Sequence, residues 1–474
     1  MPTQALTTES VQAFLKKNLD RHLSNKVLHA HPSPAYWSTE VDPDALRACL
    51  TPRKEVPEKI NLYLGIPYCL PTDPPHCGFC LFPTVAYEGK QGMEAYLHLL
   101  EKEAGLYREV YGGAVLESVY VGGGTPNLLQ AQDYHRLMAI VQGLFPALPP
   151  GIEKSIEGIP QLFNKEKIAA IRSAGFNRVS MGVQQMNETL IRYSGRRQTN
   201  RQVFEAIDEF HRQGLACNVD LIFGWPEQSI EDMLDGLRAI VASGVRHITH
   251  YELNIAGRSD FATRNRPRVP SMRDKLRMYH EAGAYLRSEG FVQDTVYDWS
   301  RPVRQVAPTG IDAAQYLYED QLRSLIHEDF ARYMGGLGFG AINTRLNAVR
   351  SGSLMNHRGL GRYAEAVNAG RFPVERAFFH EAEDIRLSWI FQQLQGLQLD
   401  PRRFEALFGR SLYFDHAAVL NELTRLGWLQ ILPGGVLRLV GDGGFYTPLI
   451  QSLFSHARLG QMAQPRQTIA LAAG

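Results

Sequence analysis

The stretch Ile60-Asn-Leu-Tyr-Leu-Gly-Ile-Pro-Tyr-Cys69-Leu-Pro-Thr-Asp-Pro-Pro-His-Cys77-Gly-Phe-Cys80 runs from an apolar segment directly into three cysteines. Its first part, Ile60 to Ile66, has the composition of a buried strand. The three thiols then fall within twelve positions, in a chain of 474 residues that has five cysteines altogether. Five is too few for a disulfide scaffold, so the crowding marks either chemistry or packing. Thiolates are soft ligands suited to iron–sulfur clusters, zinc or copper. Taken alone, the segment fits three readings: a [4Fe-4S] cluster held by three thiolates with one iron open to a ligand, a Cys3His zinc site completed by His76 or His98, or buried unligated thiols.

Beyond this segment, short strand-like runs alternate with stretches of helical period. The expected strands are Ile60 to Ile66, Ser118 to Gly122, Ile152 to Glu157, Arg178 to Gln184, Ala216 to Phe223 and His247 to Leu253. Between them the spacing predicts helices over Met93 to Val110, Gln130 to Leu144, Lys165 to Ala174, Arg201 to Gln213 and Ser229 to Ser243. Strand followed by helix, six times, implies a parallel sheet with right-handed crossovers. The expected fold class is α/β, a partial (β/α)6 barrel over 60–255, in which chemistry collects at the C-terminal ends of the strands. The cysteines follow the first strand, and Gly122-Gly-Gly-Thr-Pro126 follows the second. That turn is either a tight strand-to-helix connection or a cradle presenting backbone groups to a polar ligand.

Residues 1–59 read as an N-terminal arm, with an amphipathic segment from Ser10 to Leu23 and then His29-Ala-His-Pro-Ser-Pro34. Residues 256–380 are expected to form a substrate-cavity and lid region. It contains a basic stretch, Arg258 to Arg268, which would bind substrate carboxylates or lie solvated, and the glycine-rich Gly335 to Gly340. Over 381–456 short helices precede a hairpin, Trp428 to Leu432 and Val436 to Val440 about Pro433-Gly-Gly435, so a small winged-helix-like domain is expected. The tail, 457–474, lacks a clear apolar period and is expected to be disordered.

Composition narrows the function classes. Lys and Arg number 50 against 49 Asp and Glu, a net charge of +1, which offers no global attraction to nucleic acid or to anionic lipid. The hydrophobic fraction of 44% is that of a globular protein. No apolar run approaches the ~18 residues of a membrane span, and Met1 to Asp20 has no signal-type run. A cytoplasmic, monomeric enzyme acting on a small molecule is expected, with Cys49 and Cys217 as packing residues and the C-terminal domain as a structural lid rather than a DNA reader.

Further motifs fall in a defined order: Tyr63-Leu-Gly-Ile-Pro-Tyr-Cys69, Gly122-Gly-Gly-Thr-Pro126, Ser155-Ile-Glu157, Gly175-Phe-Asn-Arg-Val-Ser-Met-Gly-Val-Gln184, Asp220-Leu-Ile-Phe-Gly-Trp-Pro226 and Gly336-Leu-Gly-Phe-Gly-Ala341. With this series, from about Tyr63 to about Ala341, the chain resembles radical S-adenosylmethionine (SAM) enzymes of the oxygen-independent coproporphyrinogen III oxidase family. The resemblance implies a radical SAM barrel in which Cys69, Cys77 and Cys80 hold a [4Fe-4S] cluster and SAM chelates its open iron. It further implies that Tyr63 and Phe79 contact SAM, Phe79 at the adenine, and that Gly123, Gly124 and Thr125 meet the methionine amino group. Glu157, Gln184, Arg196 and Asp220 match polar SAM contacts at successive strand ends. The chemistry implied is reductive cleavage of SAM to a 5′-deoxyadenosyl radical that abstracts a hydrogen atom, with a flavodoxin or ferredoxin as electron donor.

Three features depart from the family. Its usual spacing is Cys-x3-Cys-x2-Cys, whereas seven residues separate Cys69 from Cys77 here, with Pro71, Pro74 and Pro75 stiffening the loop. Its Tyr-rich stretch before a proline in the arm is replaced by Leu28-His-Ala-His-Pro32. There His29 and His31 would contact substrate or, more simply, sit on the surface. Trp225 also stands where a smaller aliphatic is usual. The departures favour the branch of relatives that transfer a methyl group from a second SAM to an sp2 carbon, over oxidative decarboxylation of coproporphyrinogen III. A haem-binding chaperone is the reading from another class.

Overall fold

The computed structural model describes residues 6–20, 31–52, 57–255, 259–302, 325–326, 332–346 and 351–472, with side chains of the last helix described to residue 462. The six predicted strands form in the predicted order: β1 (Lys59–Ile66), β2 (Val115–Gly123), β3 (Glu153–Gly158), β4 (Arg178–Gln184), β5 (Ala216–Phe223) and β6 (His247–Glu252). Each pairs in parallel with the next. Covering helices span Lys90–Tyr107, Ala131–Leu144, Lys165–Ser173, Asn200–Arg212 and Ile230–Ala242, close to the expected bounds. Three of them start on reciprocal caps, Gln130 with Asp133, Thr199 with Gln202 and Ser229 with Asp232, which satisfy the first free amides of each helix. Val119, Val121, Ile156, Val179, Met181, Val219 and Ile248 are buried beneath them.

The sheet does not stop at residue 255. The glycine-rich stretch expected in the lid region is a seventh parallel strand, β7 (Arg332–Gly338), paired with β1 on the side away from β2. Antiparallel strands Ile342–Arg345, Gly352–Asn356 and Val374–Phe379 continue the sheet beyond it, and Asp298–Ser300 with Val292–Gln293 extend the other edge past β6, giving twelve strands among the described residues. Tyr333-Met-Gly-Gly-Leu-Gly338 carries no β-branched residue, so it does not read as a strand. The glycines answer to packing: at Gly338 (φ 99°) a Cβ would meet the Tyr96 hydroxyl at 2.4 Å and the Gly65 carbonyl at 2.6 Å.

The C-terminal unit is helical with a small sheet, as the pattern predicts. Helices Ala382–Gln395, Pro401–Phe408, Leu412–Arg425 and Thr447–Ala472 surround Gln398–Leu399 and the hairpin Leu429–Ile431 with Leu437–Leu439. Its core holds Trp389, Phe404, Leu420 and Ile450, and Val11 and Leu15 of the N-terminal helix Thr8–Asn18 join the same core. The tail expected to be disordered instead continues the last helix to Ala472. Ala, Leu, Met and Gln are strong helix formers, and Arg458 is pinned to Asp384 at 2.8 Å, which anchors the extension. Among the described residues no helix is long and apolar enough to cross a membrane.

Candidate active site at the strand ends

The parallel strands and the loops after them bring the predicted polar groups to one end of the sheet. After β1 the chain pairs Tyr68–Cys69 with Val85–Ala86, closing the cysteine loop at its base. The seven-residue insertion turns through His76 and Cys77, both with left-handed backbone (φ 53° and 54°). Thr72 steadies the turn, accepting from the Cys77 amide at 3.0 Å while its hydroxyl donates to the Pro74 carbonyl at 2.9 Å. Thr125 Oγ1 donates to the Cys69 sulfur at 3.4 Å. Burial raises the pKa of Cys69 and pushes that of Cys80 up to about 11; the charges of the neighbouring thiols add to the rise at both, and Arg196 opposes it. The three thiols are therefore neighbours, and burial disfavours the bare thiolate at Cys69 and Cys80. A cationic group that replaces their protons is what they suit.

A zinc site completed by histidine does not form. His76 Nδ1 faces Thr84 Oγ1 at 3.0 Å, and His98 sits at the surface with Arg136 and Glu101. Among the described residues no three of His, Cys, Asp and Glu converge on a single ion.

The glycine turn after β2 answers first to the chain's own packing. A Cβ on Gly124 would lie 2.4 Å from the Tyr68 carbonyl, and the Gly124 and Thr125 amides donate to Ile66 O and Tyr68 O, both at 2.7 Å. These two amides are therefore spent on locking the turn to the base of the cysteine loop. The Gly123 amide donates to Glu157 Oε2 at 3.2 Å, and Tyr120 donates to Oε1 at 2.7 Å. Tyr63 stacks on Tyr120 at 6.2 Å between ring centres, which places Tyr63 beside the same carboxylate.

Asp220 lies on β5, two strands on from Glu157. Ser180 Oγ donates to it at 3.1 Å and Asn218 Nδ2 at 2.7 Å. Burial raises Glu157 to about 7 and Asp220 to about 6, and the negative charge of Asp220 adds to the rise at Glu157. The hydrogen-bond partners of both are neutral. Two half-buried carboxylates held this way favour a cationic ligand, whose charge would offset their desolvation.

Gln184 and Arg196 meet at Gly182. Arg196 Nη1 donates to the Gly182 carbonyl at 2.8 Å, and the Gln184 amide nitrogen would sit 2.8 Å from a Cβ there. Phe79 is drawn into an aromatic group, edge-on to Trp225 at 5.1 Å and against Phe261 at 6.0 Å. Trp225 is fully buried and donates Nε1 to the Leu190 carbonyl at 2.9 Å. It fills volume that a smaller aliphatic would leave open.

Motif reading alone misses Tyr120, Ser180 and Asn218, the side chains that hold the two carboxylates. Asn218 does leave a signal: it lies two residues before Asp220 on one strand, hence on the same face. His31, expected at the surface, is fully buried and bonds Asp384 Oδ1 at 3.3 Å. The ion pair between Asp384 and Arg458 draws it inward, and burial lowers its pKa. Of the basic stretch, Arg264 is exposed and 3.9 Å from Asp260, and Arg268 pairs with Glu227 at 3.5 Å. His29 and Arg258 lie outside the described residues. Cys49 and Cys217 are buried packing residues, as expected.

The chain is similar to several known proteins. Residues 74–240 match the family model of the Radical SAM superfamily. The chain is 25% identical over 430 residues to the oxygen-independent coproporphyrinogen III oxidase of Synechocystis sp., covering 88% of each chain. It is 31% identical over 251 residues to the heme chaperone HemW of Mycobacterium tuberculosis, covering 52% of this chain and 63% of that one. The fold is that of coproporphyrinogen III oxidase (HemN) from Escherichia coli, with a TM-score of 0.76 at 22% identity over 90% of this chain and 97% of the other. Residues 74–240 thus carry a radical SAM domain, in a chain similar to oxygen-independent coproporphyrinogen III oxidases and folded like one of them.

Proposed function

We propose that this chain is a radical SAM enzyme acting on a tetrapyrrole, and that oxidative decarboxylation of coproporphyrinogen III is its reaction. The radical SAM domain implies a [4Fe-4S] cluster and SAM, and the residues present suit both. Cys69, Cys77 and Cys80 would hold the cluster; Glu157 and Asp220, with Tyr63, Gln184 and Arg196, would hold the sulfonium, ammonium, carboxylate and ribose groups of SAM. When bound, the cluster supplies an electron for reductive cleavage of SAM and so for hydrogen-atom abstraction. The observation that carries the reading is the pair of half-buried carboxylates with neutral partners, at the same end of the sheet as the cysteine loop. Similarity that spans 88% of a coproporphyrinogen III oxidase supports the choice of reaction.

Radical methyl transfer to an sp2 carbon, using a second SAM, is the second reading. It is favoured by His31, which takes the place of the family's Tyr-rich stretch yet turns away into the C-terminal unit. Anaerobic reconstitution with assay on coproporphyrinogen III separates the two. Decarboxylation yields methionine, 5′-deoxyadenosine and CO2; methyl transfer yields S-adenosylhomocysteine beside 5′-deoxyadenosine. SAM cleavage that persists in Cys77→Ser would sink both, and tight haem binding without SAM turnover would replace them with a chaperone role.

A further inference from the structure

From Ser259 to Arg268 the described part of the basic stretch folds back on itself and is fastened at both ends. The Ala262 amide donates to the Ser259 carbonyl and the Asn265 amide to the Asp260 carbonyl, both at 3.1 Å. At the first end the Phe261 amide donates to the Gly78 carbonyl at 2.9 Å, in the middle of Cys77-Gly-Phe-Cys80. The Phe261 ring is fully buried and lies so close over Gly78 (φ 72°) that a Cβ there would be 2.8 Å from it. At the other end the Glu227 amide donates to the Arg268 carbonyl at 2.8 Å, and the Arg268 guanidinium lies over the Tyr193 ring at 5.7 Å. Tyr193 belongs to the turn Arg192–Ser194, which itself packs on Pro75–Gly78. The segment so straps together the cysteine loop, the chain after β5 and the turn that leads to Arg196.

Phe79 is half-buried and rests against Phe261 and Trp225, whose own rings meet edge-on at 5.0 Å. The three rings belong to an apolar cluster separate from the main core, shared with Leu190 and Ile222. His76 and Cys77, both left-handed, stand directly before Gly78. A turn of that kind persists only when its surroundings hold it, and the Phe261 amide does so from a distant part of the chain. We propose that Phe261 is a positioning residue for SAM: its amide sets the course of Cys77 to Cys80, and its ring, with Trp225, holds Phe79 as a fixed platform for a planar base. The inference rests on the radical SAM reading, in which Phe79 lies against the adenine. A platform ordered before the ligand arrives removes an entropy cost from binding. The same arrangement gives Trp225 a role, since a smaller aliphatic there would lose the edge contacts to both phenylalanines.

The test uses the whole reconstituted protein and reads SAM affinity by titration without a reductant, beside iron–sulfur absorbance and a thermal melt. In Phe261→Ala the affinity falls roughly tenfold, while the absorbance stays close to the parent's because the amide that meets Gly78 is backbone and remains. Phe261→Leu keeps most of the apolar volume and melts within about 4 °C of the parent, yet binds SAM more weakly than the parent. A double-mutant cycle separates positioning from packing. In a Phe79→Ala background, Phe261→Ala changes SAM affinity by less than about twofold, because the ring through which it acts is gone. Unchanged affinity in Phe261→Ala overturns the proposal, and so does an equal loss with and without the Phe79 ring. Failure of Phe261→Leu to fold assigns Phe261 to core packing and overturns it as well. A parent protein that forms its cluster and binds no SAM overturns the radical SAM reading itself, which is a different failure from loss of positioning.

Discussion

Glu157 shows how one side chain can be legible in the sequence while its state is not. Its place at the end of the third strand follows from Ser155-Ile-Glu157, but its acidity depends on burial, on Tyr120, on the nearby Asp220 and on the Gly123 amide. Because burial raises its pKa to about 7, it stabilises the fold only while protonated: the contribution is complete below about 4.5 and is lost as pH rises through about 7. Glu157→Gln should therefore melt no lower than the parent at pH 8 while binding SAM at least ~10-fold more weakly, the cost of losing a charged partner. Calorimetric titration beside a thermal melt checks both, and a variant that kept full SAM affinity would remove Glu157 from the site. Gly124 makes the opposite kind of case. Gly124→Ala forces a Cβ to 2.4 Å from the Tyr68 carbonyl, and the turn must shift with the base of the cysteine loop. Iron–sulfur absorbance after reconstitution should fall well below that of the parent, and the melting temperature with it.

Among the helices, Ala382–Gln395 does more than the pattern around it suggests. Glu381 and Asp384 cap its first turn reciprocally, and Asp384 also accepts from Arg458 through two bonds, at 2.9 and 2.8 Å, and pairs with His31. One carboxylate so ties the N-terminal arm, this helix and the last helix together. Against the effect of its burial, His31 and Arg458 hold its pKa far below the usual range for a carboxylate. Asp384→Asn takes away the buried counter-charge of Arg458, leaving it only the exposed Glu381 at 3.2 Å, and should cost about 3 kcal/mol. Chemical denaturation measures that loss, and limited proteolysis should cut the arm ahead of Pro32 sooner than in the parent. An unchanged stability would show that the arm docks through Val11 and Leu15 alone.

Across the full sheet, one buried acid joins the parallel strands to their antiparallel extension. Glu103, on the helix Lys90–Tyr107, accepts from the Gly338 amide of β7, from Asn356 Nδ2 and from the Tyr363 hydroxyl, each at 2.6 Å. Burial raises its pKa to about 7, so like Glu157 its stabilising effect is lost as pH rises from about 4.5 through about 7. Asp298 and Glu375 act in the other direction. Burial opposes their ionisation, yet His247 and Arg358 hold them at about 2, and their stabilising effect is lost as pH falls from about 4 through about 2. The stability curve should therefore decline on both sides of a mildly acidic maximum. Glu103→Gln should flatten the decline between about 4.5 and about 7, read from denaturation midpoints across that range, whereas a slope like the parent's would assign the decline to other groups.

Hydrophobic period and motif order act locally along the chain, so the parallel β/α core, the helical C-terminal unit with its hairpin and the residues at the strand ends can all be read from the sequence. The seventh strand cannot. Its glycines are specified by what packs over them, Tyr96 and Gly65 at Gly338, rather than by strand propensity, and its first residue, Arg332, is held by an ion pair with Glu117 of β2. The inward turn of His31 and the pairing of Glu157 with Tyr120 arise in the same way, on folding. Each depends on partners far away in the chain, whose burial and charge outweigh any local preference.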